Sequence, residues 1–401
     1  RRTTTEMWKL FTLLLTIGAL SAARAQCTVQ EAAQYFQLPF NKFGSEVLAR
    51  ISEDTGSHFV ASSLSLWTLL AFITFGATDF TLEELEDVLK YDPHPCYTRK
   101  LFDFVKSVSE NYDDGVTFKR STSIFGDKSL LFKDSFKKKA EATGVIKLQE
   151  ISFDRQEDVA SAINGYVKAA TAGAVDGIVT PAHLNGAEVV LVDALCFRGP
   201  WKYRFLPQYT LVSAFHDSAG EQTGHVNLIY TKVRTNVANI PAMEARVLEL
   251  PYDSERFSML LILPNKRVPL ERVIENLQDF DLHWIFARFK PQIVTVRIPR
   301  FQITSHTDLK HIFVDMGLKR MFGVSATFTD MAEVSLYVST IIQKATIKVT
   351  EKGESALPPN TFNSSQIETT FTADRPFLYI LVEKPTKIAL LTGAYSKPSL
   401  Y

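Results

Sequence analysis

The sequence predicts an α+β protein built as one domain. Helical patterns dominate the first third of the chain, and short apolar strand-like runs dominate from Val189 onward. No internal repeat, low-complexity tract or linker divides the two regions. Helices first and then many strands is the pattern of α+β folds with large, mostly antiparallel sheets. The 401 residues, 46% hydrophobic and 22% charged, suffice for one large core. Their formal net charge is zero, so composition argues for neither nucleic acid nor an anionic membrane surface as partner.

The N-terminus carries its own signal. "MWKLFTLLLTIGALSAARAQCTVQ" has Lys9, an apolar stretch from Leu10 to Leu20, and small residues at Ala23 and Ala25. That order is a secretory signal, so residues 1–25 are expected to be removed and 26–401 to form the mature domain. Residues 1–6, "RRTTTE", read as lying upstream of a start at Met7. The apolar core is too short to span a bilayer as a permanent helix. A secreted, extracellular protein is expected. Three cysteines then remain, Cys27, Cys96 and Cys196, and an odd count leaves at least one free. Cys196 lies in the apolar run "VVLVDALCF" and is expected as a buried thiol. Cys27 and Cys96 are either bridged or separate; their positions alone do not decide. No C-x-x-C spacing exists, so no zinc site is expected, nor any other metal or cofactor.

Taken in order, "SLSLWTLLAFITFGA" (Ser63 to Ala77) is nearly all apolar and predicts a buried helix ended by Gly76. "TLEELEDVL" places Thr81 three residues before Glu84, the capping-box spacing, with Thr81 as N-cap. "DRQEDVASAINGYVKAATAG" (Asp154 to Gly173) is amphipathic, with acids in its first turn and a glycine stop. Strands are predicted at "EVVLVDALCF", "ARVLELPY", "FSMLLILP", "IVTVRIPRF", "TIIQKATIKV", "FLYILVE" and "KIALLTGAY", interrupted by one helix at "TDLKHIFVDMGL". Several of these runs are apolar on both faces, so at least one sheet should be covered on both sides.

Catalytic patterns are absent. The chain has no G-x-S-x-G elbow, H-E-x-x-H, phosphate loop or G-x-G-x-x-G. Its eight histidines are scattered, and His94 and His311 lack a paired acid or cysteine at ligand spacing. Glu83 and Glu84 read as a solvated helix face. The expectation is that the protein is not an enzyme. Lys137, Lys138 and Lys139 point about 100° apart on a helix, so they make no patch by themselves. Arg99 and Lys100 could join them only through tertiary proximity. A solvated face is the preferred reading over a glycosaminoglycan site.

One stretch fits neither pattern. "EKGESALPPNTFNSSQIETTF", from Glu351 to Phe371, begins like a strand and then meets a second acid, two prolines and small polar residues. It reads as an exposed loop, and Asn363 opens an N-glycosylation sequon within it.

The motifs around that loop resemble the serpin family. "FTADRPFLYILVEKPTKIALLTGAY" is similar to its C-terminal signature. "VASSLSLWTLLAFITFGATDFTLEELEDVL" resembles its second and third helices, with Ser62 and Ser65 at the shutter serines. "VDALCFRGPWKYRF" resembles a central strand of its main sheet, with Trp201 at the breach tryptophan. "ARVLELPYDSERFSMLLILP" and "TIIQKATIKVTEKG" match in place and order. The resemblance covers nearly all of the mature chain. It implies a serpin fold: about nine helices around three β-sheets, one domain, and an exposed reactive loop near the C-terminus. Inhibitory members bait a protease with that loop, which on cleavage inserts as a new middle strand and traps the enzyme.

The resemblance assigns the loop hinge to Glu351, Gly353, Glu354, Ser355, Ala356, Leu357, Pro358 and Pro359. Inhibitory hinges carry Thr or Ser where Glu354 stands, followed by small residues, and here Leu357, Pro358 and Pro359 break that run. Counting forward from Glu351 places the scissile bond near Ile367, and counting back from Phe377 places it near Ser365, with Gln366 between. The loop is therefore about two residues short. No Lys or Arg lies between Gly353 and Arg375, so a trypsin-like protease finds no bait. Under the shutter, Gln343 stands where the family usually has His, and Asp193 where it has Asn. A buried Asp193 needs hydrogen-bond donors nearby.

The expected protein is a non-inhibitory serpin, most like non-inhibitory insect members, including those of mosquitoes, with short, proline-containing loops. It would act through binding, carriage or regulation. The alternative is a suicide-substrate inhibitor of a non-trypsin-like serine protease or of a cysteine protease. A hormone-carrier role would require an apolar pocket. The expected partner is a protein or small ligand of unidentified kind, with a protease met only as a substrate-type encounter and a glycosaminoglycan as a weaker candidate. No nucleic acid or membrane is expected, and the chain is expected as a monomer.

Overall fold

The computed structural model describes residues 27–91, 93–110, 116–352 and 369–401. Residues 1–26, 92, 111–115 and 353–368 lie outside them. Helix α1 (Val29–Thr55) opens with a reciprocal capping box, Glu31 N donating to Thr28 Oγ1 (3.1 Å) and Thr28 N to Glu31 Oε2 (2.8 Å). It ends at Gly56, whose φ of +67° is the left-handed conformation that closes helices. Helix α2 (Ser63–Ile73) is buried at every residue, as its apolar composition predicts. It stops before the expected Gly76: a side chain on Gly76 would stand 2.7 Å from Met331, so that glycine serves packing.

Helix α3 (Asp79–Leu89) corrects the cap assignment. Its N-cap is Thr78, and Thr81 lies inside the helix, accepting a hydrogen bond from Thr327 N (2.9 Å). Glu84 is not merely solvated either, because it accepts from the backbone N–H groups of Lys319 and Arg320 (2.9 and 2.8 Å). A distant segment claimed the groups that local spacing assigned to a capping box. Helices α4 (Pro95–Glu110), α5 (Asp134–Thr143) and α6 (Gln156–Ala170) follow, and α7 (Leu270–Leu277), α8 (Leu282–Phe286) and α9 (Lys310–Met316) interrupt the strands. Of these last three only α9 was expected. Cys27 and Cys96 are bridged, Cα to Cα 6.2 Å, tying the start of α1 to α4, while Cys196 is a buried free thiol.

The strands are β1 (Phe59–Ala61), β2 (Thr117–Asp127), β3 (Ile146–Ile151), β4 (Val189–Arg198), β5 (Leu211–His216), β6 (Gln222–Ile240) and β7 (Ala245–Pro251). They continue with β8 (Phe257–Pro264), β9 (Lys290–Pro299), β10 (Phe301–Asp308), β11 (Val338–Val349), β12 (Thr369–Thr372), β13 (Phe377–Glu383) and β14 (Ile388–Tyr395). Among the described residues they form two hydrogen-bonded sheets where three were expected. The nine-stranded sheet runs β1-β14-β13-β8-β7-β6-β9-β12 with β5 beside β6, and the five-stranded sheet runs β10-β11-β4-β2-β3. The count differs because β6 is 19 residues long and pairs in turn with β5, β9 and β7, fusing two groups of strands.

Along its central strand β4 the five-stranded sheet is covered on both faces. Val189, Leu191 and Leu195 of β4 enter the main core, whereas Val190, Val192 and Ala194 pack in a second core with Ile163 and Val167 of α6. This explains why β4 reads as a continuous apolar run rather than an alternation. No described helix is long and apolar enough to cross a membrane.

Candidate functional site: the seam of the five-stranded sheet and its hinge

In the middle of the five-stranded sheet, β4 and β11 run parallel and pair directly, from Val189 opposite Val338 to Phe197 opposite Ile347. Asp193 stands opposite Gln343 in this register. Gln343 Nε2 donates to Asp193 Oδ2 (2.7 Å) and to Ser62 O (3.1 Å), and its Oε1 accepts from Ser62 N (2.9 Å). Thr122 Oγ1 of β2 donates to the other carboxylate oxygen at 2.7 Å. Ser62 caps α2 by accepting from Ser65 N (3.2 Å) and donates its hydroxyl to Leu390 O of β14 (2.7 Å). One buried network thus joins α2, β2, β4, β11 and β14. Asp193 has the donors that the sequence required of its surroundings. Burial nevertheless pushes its pKa up to about 6, against the opposing pull of the Thr122 and Gln343 hydrogen bonds and the Arg120 charge.

At the end of the seam the chemistry changes. The Trp201 indole donates to Thr350 O (2.9 Å), just beyond β11, and stacks on Tyr252 with ring centroids 4.5 Å apart. Gly199 permits this approach, since a Cβ there would meet the Tyr252 ring at 2.8 Å. One residue past Thr350, Glu351 accepts from Thr210 Oγ1 (3.0 Å) and pairs with Arg300 (3.3 Å). Arg300 Nε also donates to Tyr401 O (2.5 Å), which accepts from Asn227 Nδ2 as well (3.1 Å).

Beyond residue 368, β12 lies parallel to β9 in the other sheet. Thr369 Oγ1 donates to Gln292 Oε1 (2.8 Å), and Arg246 donates to Thr370 O (3.0 Å). The intervening segment therefore connects the seam of one sheet to the edge of the other. Gly353, Glu354, Ser355, Ala356, Leu357, Pro358, Pro359, Asn363, Ser365, Gln366 and Ile367 all fall in it, outside the described residues.

The structure brings Ser62, Ser65, Asp193 and Gln343 together and sets Trp201 beside the start of the hinge. Sequence reasoning missed Thr122, Thr210, Tyr252 and Arg300, which lie far along the chain from their partners. Among the lysines, Lys137 pairs with Glu150 (2.8 Å), Lys139 donates to Phe75 O (3.1 Å), and Lys100 pairs with Asp103 (2.7 Å). An apolar cavity lined by Phe40, Leu48, Leu277, Phe280 and Ile380 holds about 50 Å³. Small-ligand sites usually span about 300–1,000 Å³, so this one is too small for a hormone-sized molecule as it stands.

Comparison with known proteins gives a consistent answer. A family profile described as Serpin (serine protease inhibitor) matches residues 39–398. Antithrombin-III of Homo sapiens is 29% identical over 369 residues, covering 86% of this chain and 78% of that protein. Alaserpin of Manduca sexta is 28% identical, covering 87% and 90%. The crystal structure of native protease nexin-1 with heparin superposes with a TM-score of 0.82 at 25% identity, covering 92% of this chain and 100% of that one.

Proposed function

The chain belongs to the serpin family, and we propose that it is a secreted, non-inhibitory member that acts through binding or regulation. The observation that carries this reading is the content of the segment that would have to enter between β4 and β11. One face of that seam is the main core, and the other is the second core at Val190, Val192 and Ile342 but carries the partly exposed Lys344 and Thr346 and the exposed Lys348 toward the hinge end. On the main-core face the Glu354 carboxylate would leave water for an apolar core, which is strongly unfavourable without a partner. Pro358 and Pro359 follow, and a proline in mid-sheet removes a ladder hydrogen bond. A protease meeting this loop would cleave it and leave. Secretion rests on the leader at residues 1–25, and intact mass of secreted protein should show Gln26 as the first residue.

The deciding experiment incubates the protein with elastase-like, chymotrypsin-like and cysteine proteases and resolves the products by denaturing electrophoresis. Cleavage with turnover is expected. A covalent complex that survives denaturation would establish the suicide-inhibitor alternative instead. Glycosylation at Asn363 would add a steric block to insertion, and a mass loss on glycosidase treatment is the expected outcome. Unmodified Asn363 in secreted material would remove that part of the reading.

A further inference from the structure

Past Tyr395 the chain leaves the sheet. Strand β1 pairs with β14 only as far as Phe59 opposite Ala394, and β14 itself stops at Tyr395. The next backbone N–H groups, those of Ser396 and Lys397, both donate to a single ring atom, His58 Nδ1 (3.2 and 3.1 Å). Ser396 Oγ adds a bond to Gly56 O (3.1 Å), and Ser399 N one to the Tyr395 hydroxyl (3.2 Å). Gly224 of β6 leaves room for Pro398, whose ring would stand 2.7 Å from a Cβ at that position.

Tyr401 lies beside the hinge. Its backbone oxygen accepts from Asn227 Nδ2 (3.1 Å) and from Arg300 Nε (2.5 Å), and the same Arg300 pairs with Glu351. Its hydroxyl donates to Gln302 Oε1 (2.9 Å), and the Lys348 ammonium of β11 stands over its ring (5.4 Å). Contacts that begin on one imidazole thus reach the residue that anchors the hinge acid.

Only a neutral ring with its proton on Nε2 accepts at Nδ1. Protonation would turn an N–H toward the two donors, and both bonds would be lost together. Burial of the ring, and then the Lys397 ammonium, hold the His58 pKa below the usual histidine value of 6.5. On β14 the Tyr395 ring lies 5.4 Å from the imidazole. Of the acids on the flanking helices, Glu53 of α1 is exposed, Asp54 faces His311 of α9 (3.5 Å), and Glu271 of α7 accepts from Ser57 Oγ (2.9 Å).

We propose that residues 396–401 form an acid-released strap, latched at His58 and holding Arg300 beside the hinge through Tyr401. In the open strap His58 returns to an ordinary environment, so opening takes up a proton. As pH falls below about 6.5 the opening equilibrium grows, by up to about tenfold per pH unit. It levels off once the lower pKa of the latched ring is passed.

The test is hydrogen exchange of the full chain at about pH 7.5 and about pH 5, read by mass spectrometry and corrected for the intrinsic pH dependence of exchange. Protection of the Ser396, Lys397 and Ser399 amides should fall at least about threefold at the lower pH. Exchange in peptides around Arg300 and Glu351 should rise with it. His58→Asn offers an acceptor oxygen that does not titrate in this range and should keep the strap protected at both values. His58→Leu should leave it open at both, with circular dichroism confirming that each variant is folded. Equal protection of the parent chain at the two pH values would by itself overturn the proposal, whatever the variants do. So would the same pH response in folded His58→Asn, or strap release that leaves the peptides around Arg300 and Glu351 unchanged.

Discussion

The middle and the end of the β4–β11 seam are closed by different physics. In the middle, Gln343, Asp193, Ser62 and Thr122 are buried together, and each bond satisfies a group that would otherwise be stranded away from water. Parting the strands there without replacing those bonds would cost about 1–3 kcal/mol for each group left unsatisfied. At the end, Glu351 and Arg300 form a partly exposed ion pair near the stacked rings of Trp201 and Tyr252. Water already reaches the Arg300 side of that pair, so parting it costs less than parting the fully buried network. The end of the seam is therefore where an entering strand could begin, and the middle is where its side chains and backbone would be tested.

The largest effect expected from this contrast concerns the loop itself. Cutting it should leave the melting temperature nearly unchanged, because burying Glu354 and losing ladder bonds at Pro358 and Pro359 opposes insertion by on the order of 5 kcal/mol or more. Limited proteolysis followed by calorimetry measures this, and a rise of tens of degrees would break the contrast. The variant Glu354→Thr, Pro358→Ala, Pro359→Ala should gain stability on cleavage. If it does not, the Gln343–Asp193 network is the remaining barrier.

The next effect is a pH dependence from Asp193. Its pKa is about 6 in the folded protein against a reference of 3.8. Below the lower value the carboxyl is neutral in both folded and unfolded chains. Between the two values the unfolded chain has released the proton while the folded chain holds it, so stability falls as pH rises. Above about pH 6 the loss is complete and amounts to about 3 kcal/mol. Asp193→Asn keeps an acceptor for Thr122 or Gln343 without the buried charge, and Arg120 is the charged group whose field it would cease to feel. Urea unfolding should find Asp193→Asn more stable than the parent at neutral pH, with the difference shrinking toward about pH 4. A less stable variant at neutral pH would mean that the ionised carboxylate strengthens the middle of the seam.

The smallest effect belongs to the end. Arg300→Ala removes the Glu351 pair and one bond to Tyr401 O, yet global stability should fall by no more than about 1 kcal/mol, given the partial exposure of the pair. Proteolysis of the loop should nevertheless accelerate, since the hinge loses its anchor. A loss of several kcal/mol would show that the two parts of the seam are not separable.

Of the strands that carry the seam, β4 was legible as a continuous apolar run and β11 by its β-branched residues, and the buried helix α2 was legible as well. Strands β2, β3, β5 and β6 were not, since "TFKRSTSIFGD" and "QTGHVNLIYTKVRTNVANI" mix polar residues into half-exposed or network-bearing positions. The five-residue helix α8 is too short to show a period. At Thr81 and Glu84 local spacing pointed to a cap that tertiary contacts with Thr327 and Lys319 displaced.

By itself the sequence determined the α+β class, the continuous apolar strands and the hinge composition, because each follows from residue type and short-range order along the chain. Only the tertiary structure decided that Cys27 and Cys96 are bridged, that long β6 fuses two sheets, and that Thr122 serves Asp193 while Arg300 holds Glu351. Those outcomes depend on which distant segments share a neighbour. A buried carboxylate or a hinge acid takes whichever donor the packed chain sets within reach, and the spacing of residues along the chain does not specify that donor.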